Sequence, residues 1–262
     1  MSSPAGVDTI NSAIGDVSAP VLTPALGNEV TLIRGLWSED LQKFETEAVV
    51  RELTGEDEEF LASVETKPNV SYGDYMAAIL SRAVVTIGSI KVTGPKVLDT
   101  LLPGDRDLLF LQTIKTTYGV ERTVQVICPK CNKKSDVVIE LAKDFPNRLP
   151  DFPIDKPVQV QGRKVLYKFN LPSISDVSAA SVAKTMAESN TIVLSRCAVF
   201  DGDEPADRLA WARSININDR HKIIDFLLSI ELGPKLKEVD THCSHCDEEM
   251  PIALNWVSLL LS

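Results

Sequence analysis

Val124-Gln125-Val126-Ile127-Cys128-Pro129-Lys130-Cys131-Asn132-Lys133-Lys134-Ser135-Asp136-Val137-Val138-Ile139 places a C-x-x-C pair between two runs of β-branched residues. Such runs favour extended strands, so the cysteines are predicted at the turn of a β-hairpin. One turn can aim two thiolates at a common point, which is half of a tetrahedral zinc site. A second pair, Cys243 and Cys246, stands between Val239 and Ile252-Ala253-Leu254. A linear zinc ribbon separates its two knuckles by about 15–20 residues, whereas 111 residues lie between Cys131 and Cys243 here. The two pairs complete one site only if the chain folds distant hairpins together.

Working outward, the knuckles are two of a set of recurring words. Leu80-Ser81-Arg82-Ala83-Val84-Val85 recurs as Leu194-Ser195-Arg196-Cys197-Ala198-Val199, and Gly104-Asp105-Arg106 as Asn218-Asp219-Arg220. With the cysteine pairs, the offsets are 114, 114 and 115 residues. A constant offset is the signature of internal duplication, so two pseudo-equivalent halves are expected, each contributing two sulfurs. Asp105 and Asp219 are then expected to start corresponding helices and to cap exposed backbone amides.

Local signals fill in the halves. Val30-Thr31-Leu32-Ile33 and Phe44 to Val50 read as strands. Thr54, three residues before Asp57, opens a helix through Val64. Tyr72 to Val85 and Asp105 to Thr117 read as helices, the latter stopped by Gly119. Four prolines between Asp144 and Pro157 mark a linker. Beyond it, Val158 to Phe169 reads as a hairpin turning at Gly162. Ile174 to Met186, Ile192 to Val199 and Asn218 to Ile230 then read as helices. Residues 1–28 are small and polar without clear periodicity, which reads as an extended arm expected to lie along a neighbouring subunit. The domain reading is an arm over 1–28, a first half over 29–143, a linker over 144–157 and a second half over 158–262.

Composition bounds the function. The 262 residues carry a formal charge of −10, with 44% hydrophobic and 24% charged residues, an ordinary globular balance. A sequence pI near 4.9 argues against nucleic acid and anionic membrane surfaces as partners. No apolar run is long enough to span a bilayer, and the N-terminus does not read as a secretory signal. Five cysteines, an odd number, imply a reducing compartment. There is no phosphate-binding Gly-rich loop, no H-E-x-x-H and no G-x-S-x-G, so no enzyme is expected. A thioredoxin-like redox use of Cys128 and Cys131 needs a strand-to-helix context, and β-rich residues flank the pair on both sides. Cys197, in an apolar helical run, reads as a core thiol. His242 and His245 flank the second pair and could each replace a sulfur, while His221 falls in a helix's first turn and reads as surface. Lys130, Lys133 and Lys134 would offset the charge of a four-thiolate site.

Ordered short motifs also carry a resemblance. Arg34-Gly35-Leu36-Trp37 is followed by Arg51-Glu52-Leu53-Thr54-Gly55-Glu56-Asp57-Glu58-Glu59-Phe60-Leu61, then Leu101-Leu102-Pro103-Gly104-Asp105-Arg106, Tyr118-Gly119 and Cys128-Pro129-Lys130-Cys131. Leu171-Pro172, Asp219-Arg220, Gly233-Pro234 and Cys243-x-x-Cys246 continue the series. So arranged, residues 30 to 262 resemble the baseplate hub family of T-even-type contractile-tailed bacteriophages. The resemblance implies a virion or virion-assembly protein, made in the host cytoplasm, several copies of which bind other tail and baseplate subunits. The chain departs from that pattern in lacking glycine after the second cysteine of each knuckle. Asn132 and Asp247 stand there, and both residue types tolerate a left-handed backbone.

The expectation is thus an α+β protein of two pseudo-repeated halves of helices and β-hairpins. A zinc-ribbon-like site of Cys128, Cys131, Cys243 and Cys246 joins them around a structural Zn²⁺. The function expected is a structural part of a contractile-tail baseplate; the alternatives are an assembly chaperone absent from the mature virion and a cytosolic C-x-x-C redox enzyme.

Overall fold

The computed structural model describes residues 27–66, 70–230, 232–236, 239–252 and 254–261. Apart from its last two residues, the expected arm lies outside the described residues. Helices and several small antiparallel sheets share the chain. Strand β1 (Glu29–Ser38) pairs with β2 (Lys43–Val50); helices α1 (Gly55–Glu65) and α2 (Tyr72–Ala83) follow, then β3 (Val84–Ile87) and β4 (Ile90–Lys91), in sheet order β1-β2-β3-β4. After a short 3-10 turn come α3 (Pro103–Tyr118), the hairpin β5 (Glu121–Ile127) and β6 (Lys134–Glu140), and β7 (Asn147–Arg148). Residues from 158 onward give β8 (Val158–Gln161), β9 (Leu166–Phe169), α4 (Ile174–Ser181), α5 (Met186–Cys197) and β10 (Ala198–Val199), in sheet order β10-β9-β8. Helices α6 (Arg208–Ser214) and α7 (Ile217–Ser229), β11 (Gly233–Pro234), the hairpin β12 (Val239–His242) and β13 (Glu249–Ile252), and α8 (Trp256–Leu261) complete the chain. Among the described residues no helix is long and apolar enough to cross a membrane.

Helix ends follow local chemistry, with corrections to the expected boundaries; among them, the helix expected through Val199 ends at Cys197, because Ala198 and Val199 form β10 beside β9. The segment expected to be helical from Ile174 to Met186 stops at Ser181, and the next helix begins at Met186, ahead of the expected Ile192. The reason lies in Thr185, whose hydroxyl accepts the Glu188 backbone N–H and so restarts the helix. Likewise α2 ends at Ala83, two residues early, because Val84 and Val85 enter β3 beside β2. Gly119 does end α3, with φ of +97°, and Gly162 opens the β8–β9 turn by donating its N–H to the Val165 carbonyl.

In two helical pairs, α1–α2 and α4–α5, an aspartate near the start of the first helix is tied to an arginine of the second. Asp57, at the third position of α1, accepts the Thr54 N–H and ion pairs with Arg51 at 2.7 Å and with Arg82 of α2 at 2.6 Å. These partners, Arg51 first, hold its buried carboxyl far below the usual aspartate range. Asp176, at the third position of α4, accepts the Ser173 N–H and pairs with Arg196 of α5 at 2.6 Å. At the ends of α2 and α5, the Arg51 N–H donates to Ala83 and the Asn170 N–H to Cys197, both at 2.8 Å.

The expectation that Asp105 and Asp219 cap their own helices is corrected. Both sit at the third helical position and are buried, but the backbone N–H groups they accept belong to other segments. Asp105 accepts the backbone N–H groups of Ile33, Arg34 and Gly35, where the β1–β2 register shifts. Asp219 accepts the Arg163 N–H at the β8–β9 turn and the Asn216 amide. A buried carboxylate thus ties a helix start to amides that a strand partner leaves free. Gly35 makes the bulge possible: its φ is +73°, and a Cβ there would lie 1.9 Å from the Glu45 carbonyl oxygen.

Two main cores form. One joins β1–β4, α1 to α3 and the terminal helix, with Met76, Ile79, Leu109, Phe110, Leu259 and Leu260 buried. The other gathers Phe169, Leu194, Cys197, Ile223 and Leu227, with Leu102 from the start of α3. The proline-rich stretch is tied down at its start: Phe145 is buried against Trp256, and β7 pairs with β11. At that crossing Gly104 meets Gly233, and a Cβ on Gly104 would fall 2.4 Å from the Leu232 carbonyl oxygen. Backbone cannot yield as a flexible side chain can, so Gly104→Ala is expected to cost about 1–3 kcal/mol. Urea unfolding checks this, and an unchanged midpoint contradicts the close approach.

Candidate metal centre

Both knuckles use the same backbone device. In the turn between β5 and β6, the Cys128 N–H donates to the Lys133 carbonyl at 2.9 Å and the Asn132 N–H to the Cys128 carbonyl at 3.0 Å. Between β12 and β13, the Cys243 N–H donates to Glu248 at 2.8 Å and the Asp247 N–H to Cys243 at 2.9 Å. Asn132 and Asp247 take the left-handed conformation, with φ of +56° and +59°. The residues standing in place of glycine therefore adopt the backbone the turn requires.

The hairpins meet across the 111-residue gap. The four cysteine sulfurs lie within 4.8 Å of one another. Cys128 Sγ is 3.7 Å from Cys246 Sγ, and Cys131 Sγ is 3.7 Å from Cys243 Sγ. These separations far exceed the about 2.05 Å of a disulfide, and all four thiols are free. A tetrahedron with metal–sulfur bonds of about 2.3 Å has edges near 3.8 Å, so the sulfur cluster has the dimensions of such a site. Cys128 and Cys243 are buried, Met250 and Val126 pack beside them, and Cys131 and Cys246 are half-buried.

Electrostatics favour a cation at the centre. The Ser135 hydroxyl, then the His245 backbone N–H, pull the Cys243 thiol down to about 6. Cys246 goes the other way, up to about 12: the Glu248 N–H opposes the rise, which comes from burial and the neighbouring cysteines. A cluster this tight holds thiolates together only when a metal neutralises them. Lys130 reaches across to Glu248, an ion pair that links one knuckle to the other.

The histidines stay outside the cluster. His245 has its Nε2 3.1 Å from the Lys134 carbonyl oxygen, and His242 and His221 are exposed. Cys197 is buried in the second core, where desolvation pushes its thiol up to about 12. Sequence reasoning missed Ser135, whose Oγ lies 3.5 Å from Cys243 Sγ. The signal was there, because alternation along β6 turns Ser135, Val137 and Ile139 to the buried face.

A family model described as T4 bacteriophage base plate protein matches residues 38–258. The chain belongs to this family. The match runs across both cysteine pairs, so the knuckles fall inside the baseplate family's own span. Membership places the protein among components of the phage tail and points to a structural role. Neither curated proteins nor solved structures give a match.

Proposed function

We propose that this baseplate protein is a hub-type structural subunit, built from two duplicated halves that a structural zinc clamps together. The observation that carries the reading is the convergence of Cys128, Cys131, Cys243 and Cys246 from turns over a hundred residues apart. Four cysteine ligands leave no open position for water or substrate, so the ion supplies cross-linking and no catalysis. The chain acts by binding tail subunits, in several copies, and touches neither nucleic acid nor lipid. It is made in the host cytoplasm, where its thiols stay reduced until the metal takes them.

Support for the duplication is local and repeated. Two strands, two helices and a strand, then a longer helix and a knuckle hairpin, follow in that order in residues 29–140 and again in 158–252; the first series has β4 and a 3-10 turn in addition, the second α6 and β11. The Asp57–Arg82 and Asp176–Arg196 pairs, the buried Asp105 and Asp219, and the matched knuckle hydrogen bonds fall at corresponding places. We take 29–143 and 158–262 as the halves, 144–157 as the connector and 1–28 as an arm.

Mass spectrometry and metal analysis of purified virions test the reading. A hub subunit is retained in the tail with about one zinc per chain and no free knuckle thiol. An assembly chaperone is missing from the virion, and a redox enzyme shows reactive Cys128 and Cys131 without metal. The arm should be cut by protease in the isolated protein and protected in the particle, because its composition cannot bury a core alone. Equal protection in both would assign it to the fold.

A further inference from the structure

The buried face of β6 carries Ser135 in a row that is otherwise apolar, continued by Val137 and Ile139. Ser135 is 3% exposed, and Val126, its partner across the hairpin, packs against the cysteine cluster. A hydroxyl taken this far from water needs hydrogen bonds in compensation. Ser135 Oγ finds them on the other hairpin, with Cys243 Sγ at 3.5 Å and Ser244 Oγ at 3.3 Å. A strand of the first knuckle thus reaches a sulfur of the second.

The direction of these bonds follows from the chemistry of the centre. A hydroxyl has one hydrogen to give, and Cys243 as a metal ligand is a thiolate, which can only accept. Ser135 then donates to Cys243 Sγ and accepts from the exposed Ser244 hydroxyl, next to that cysteine in the chain. The His245 backbone N–H is a second donor to Cys243 Sγ, at 3.4 Å. The matching place in the second hairpin is filled differently. The Lys133 and Glu248 carbonyls accept the Cys128 and Cys243 N–H groups, so the turns align and Met250 stands where Ser135 does. Met250 is buried in the same cluster and has no hydroxyl to give. The Ser135 donor is therefore no part of the turn that both knuckles share.

We propose that Ser135 is a positioning residue of the metal centre, whose hydroxyl donates to the Cys243 thiolate and tightens metal binding. The inference rests on the structural-zinc reading and deepens it. Donors behind a ligand fix its orientation and draw off part of the charge that four thiolates concentrate around one ion. Because Ser135 and Cys243 belong to opposite hairpins, this bond also makes retention of the ion depend on the two hairpins staying docked.

The test uses the full-length chain loaded with zinc, or with Co²⁺ as a spectroscopic substitute. Ser135→Ala removes the hydroxyl and adds no bulk. Competition with a chelator should show that it binds zinc about 10–100-fold more weakly than the unchanged chain. Its sulfur-to-cobalt charge-transfer band should move to longer wavelength, because a thiolate that has lost a donor gives up an electron more readily. Ser135→Thr should bind zinc more tightly than Ser135→Val, which has the same shape and no hydroxyl. An unchanged zinc affinity or an unmoved band in Ser135→Ala makes Ser135 a packing residue and overturns the proposal. Equal affinities in Ser135→Thr and Ser135→Val overturn it as well. Failure of the unchanged chain to hold zinc or Co²⁺ on its cysteines would instead overturn the zinc reading, so the two failures are distinguishable.

Discussion

Cys243→Ser is expected to release the metal and destabilise the protein more than any other single substitution considered. Serine keeps the size of the side chain but loses the thiolate, leaving three sulfurs crowded around a vacancy in charge. The knuckles belong to a small cluster of their own, with little beyond Met250 and Val126 to hold it. On the proposed zinc reading, metal-binding energy there is folding energy, and loss of a structural metal belongs with the changes that cost more than about 4 kcal/mol. Metal analysis and thermal unfolding with and without chelator read the result. Cys197→Ser, in the second core, should retain the full metal content. Metal binding releases thiol protons, so acidification should weaken it and alkalinity should not. Full metal content and an unchanged melting temperature in Cys243→Ser would show that the four sulfurs do not share one ion.

Trp256→Ala is expected to cost about 3–5 kcal/mol, the range for removing a large buried aromatic side chain. Trp256 is 2% exposed, packs against Phe145 with centroids 5.4 Å apart, and hydrogen bonds to Asp107. Burial already raises the Asp107 carboxyl, so losing the indole donor leaves it less satisfied as well as opening a cavity. Leu259 and Leu260 enter the same core, and the Arg122 side chain donates to the Leu259 carbonyl at 2.9 Å. The last helix of the chain thereby completes the core that its first strands began. Urea unfolding should show the loss as a lower midpoint with an unchanged slope. A cost below about 1 kcal/mol would mean that this helix rests on the core without completing it.

How much of this was legible in advance depends on whether the cause is local. The two knuckles, the left-handed Asn132 and Asp247, the stop at Gly119, the turn at Gly162 and the burial of Cys197 were readable, because each follows from a few neighbouring residues. The helix restart at Thr185 was missed, although its cap is local, because the apolar pattern runs straight through it. Membership of the baseplate family was carried by the order of short motifs, and the match over residues 38–258 agrees with it.

Other features depended on which distant groups remained unpaired once the elements packed. Asp105 looked like a cap for its own helix; instead it serves amides seventy residues away, because the bulge at Gly35 turns them from their strand partner. The run from Trp256 to Leu261 showed only that it was too short for a bilayer, and no spacing in it says which core it fills. The sequence by itself determined the two C-x-x-C turns and the backbone each would take. The constant offset led to the expectation that they meet, but the packing of the cores that closes the 111-residue gap and brings the four sulfurs within 4.8 Å of one another is encoded in no local pattern and was supplied by the tertiary structure.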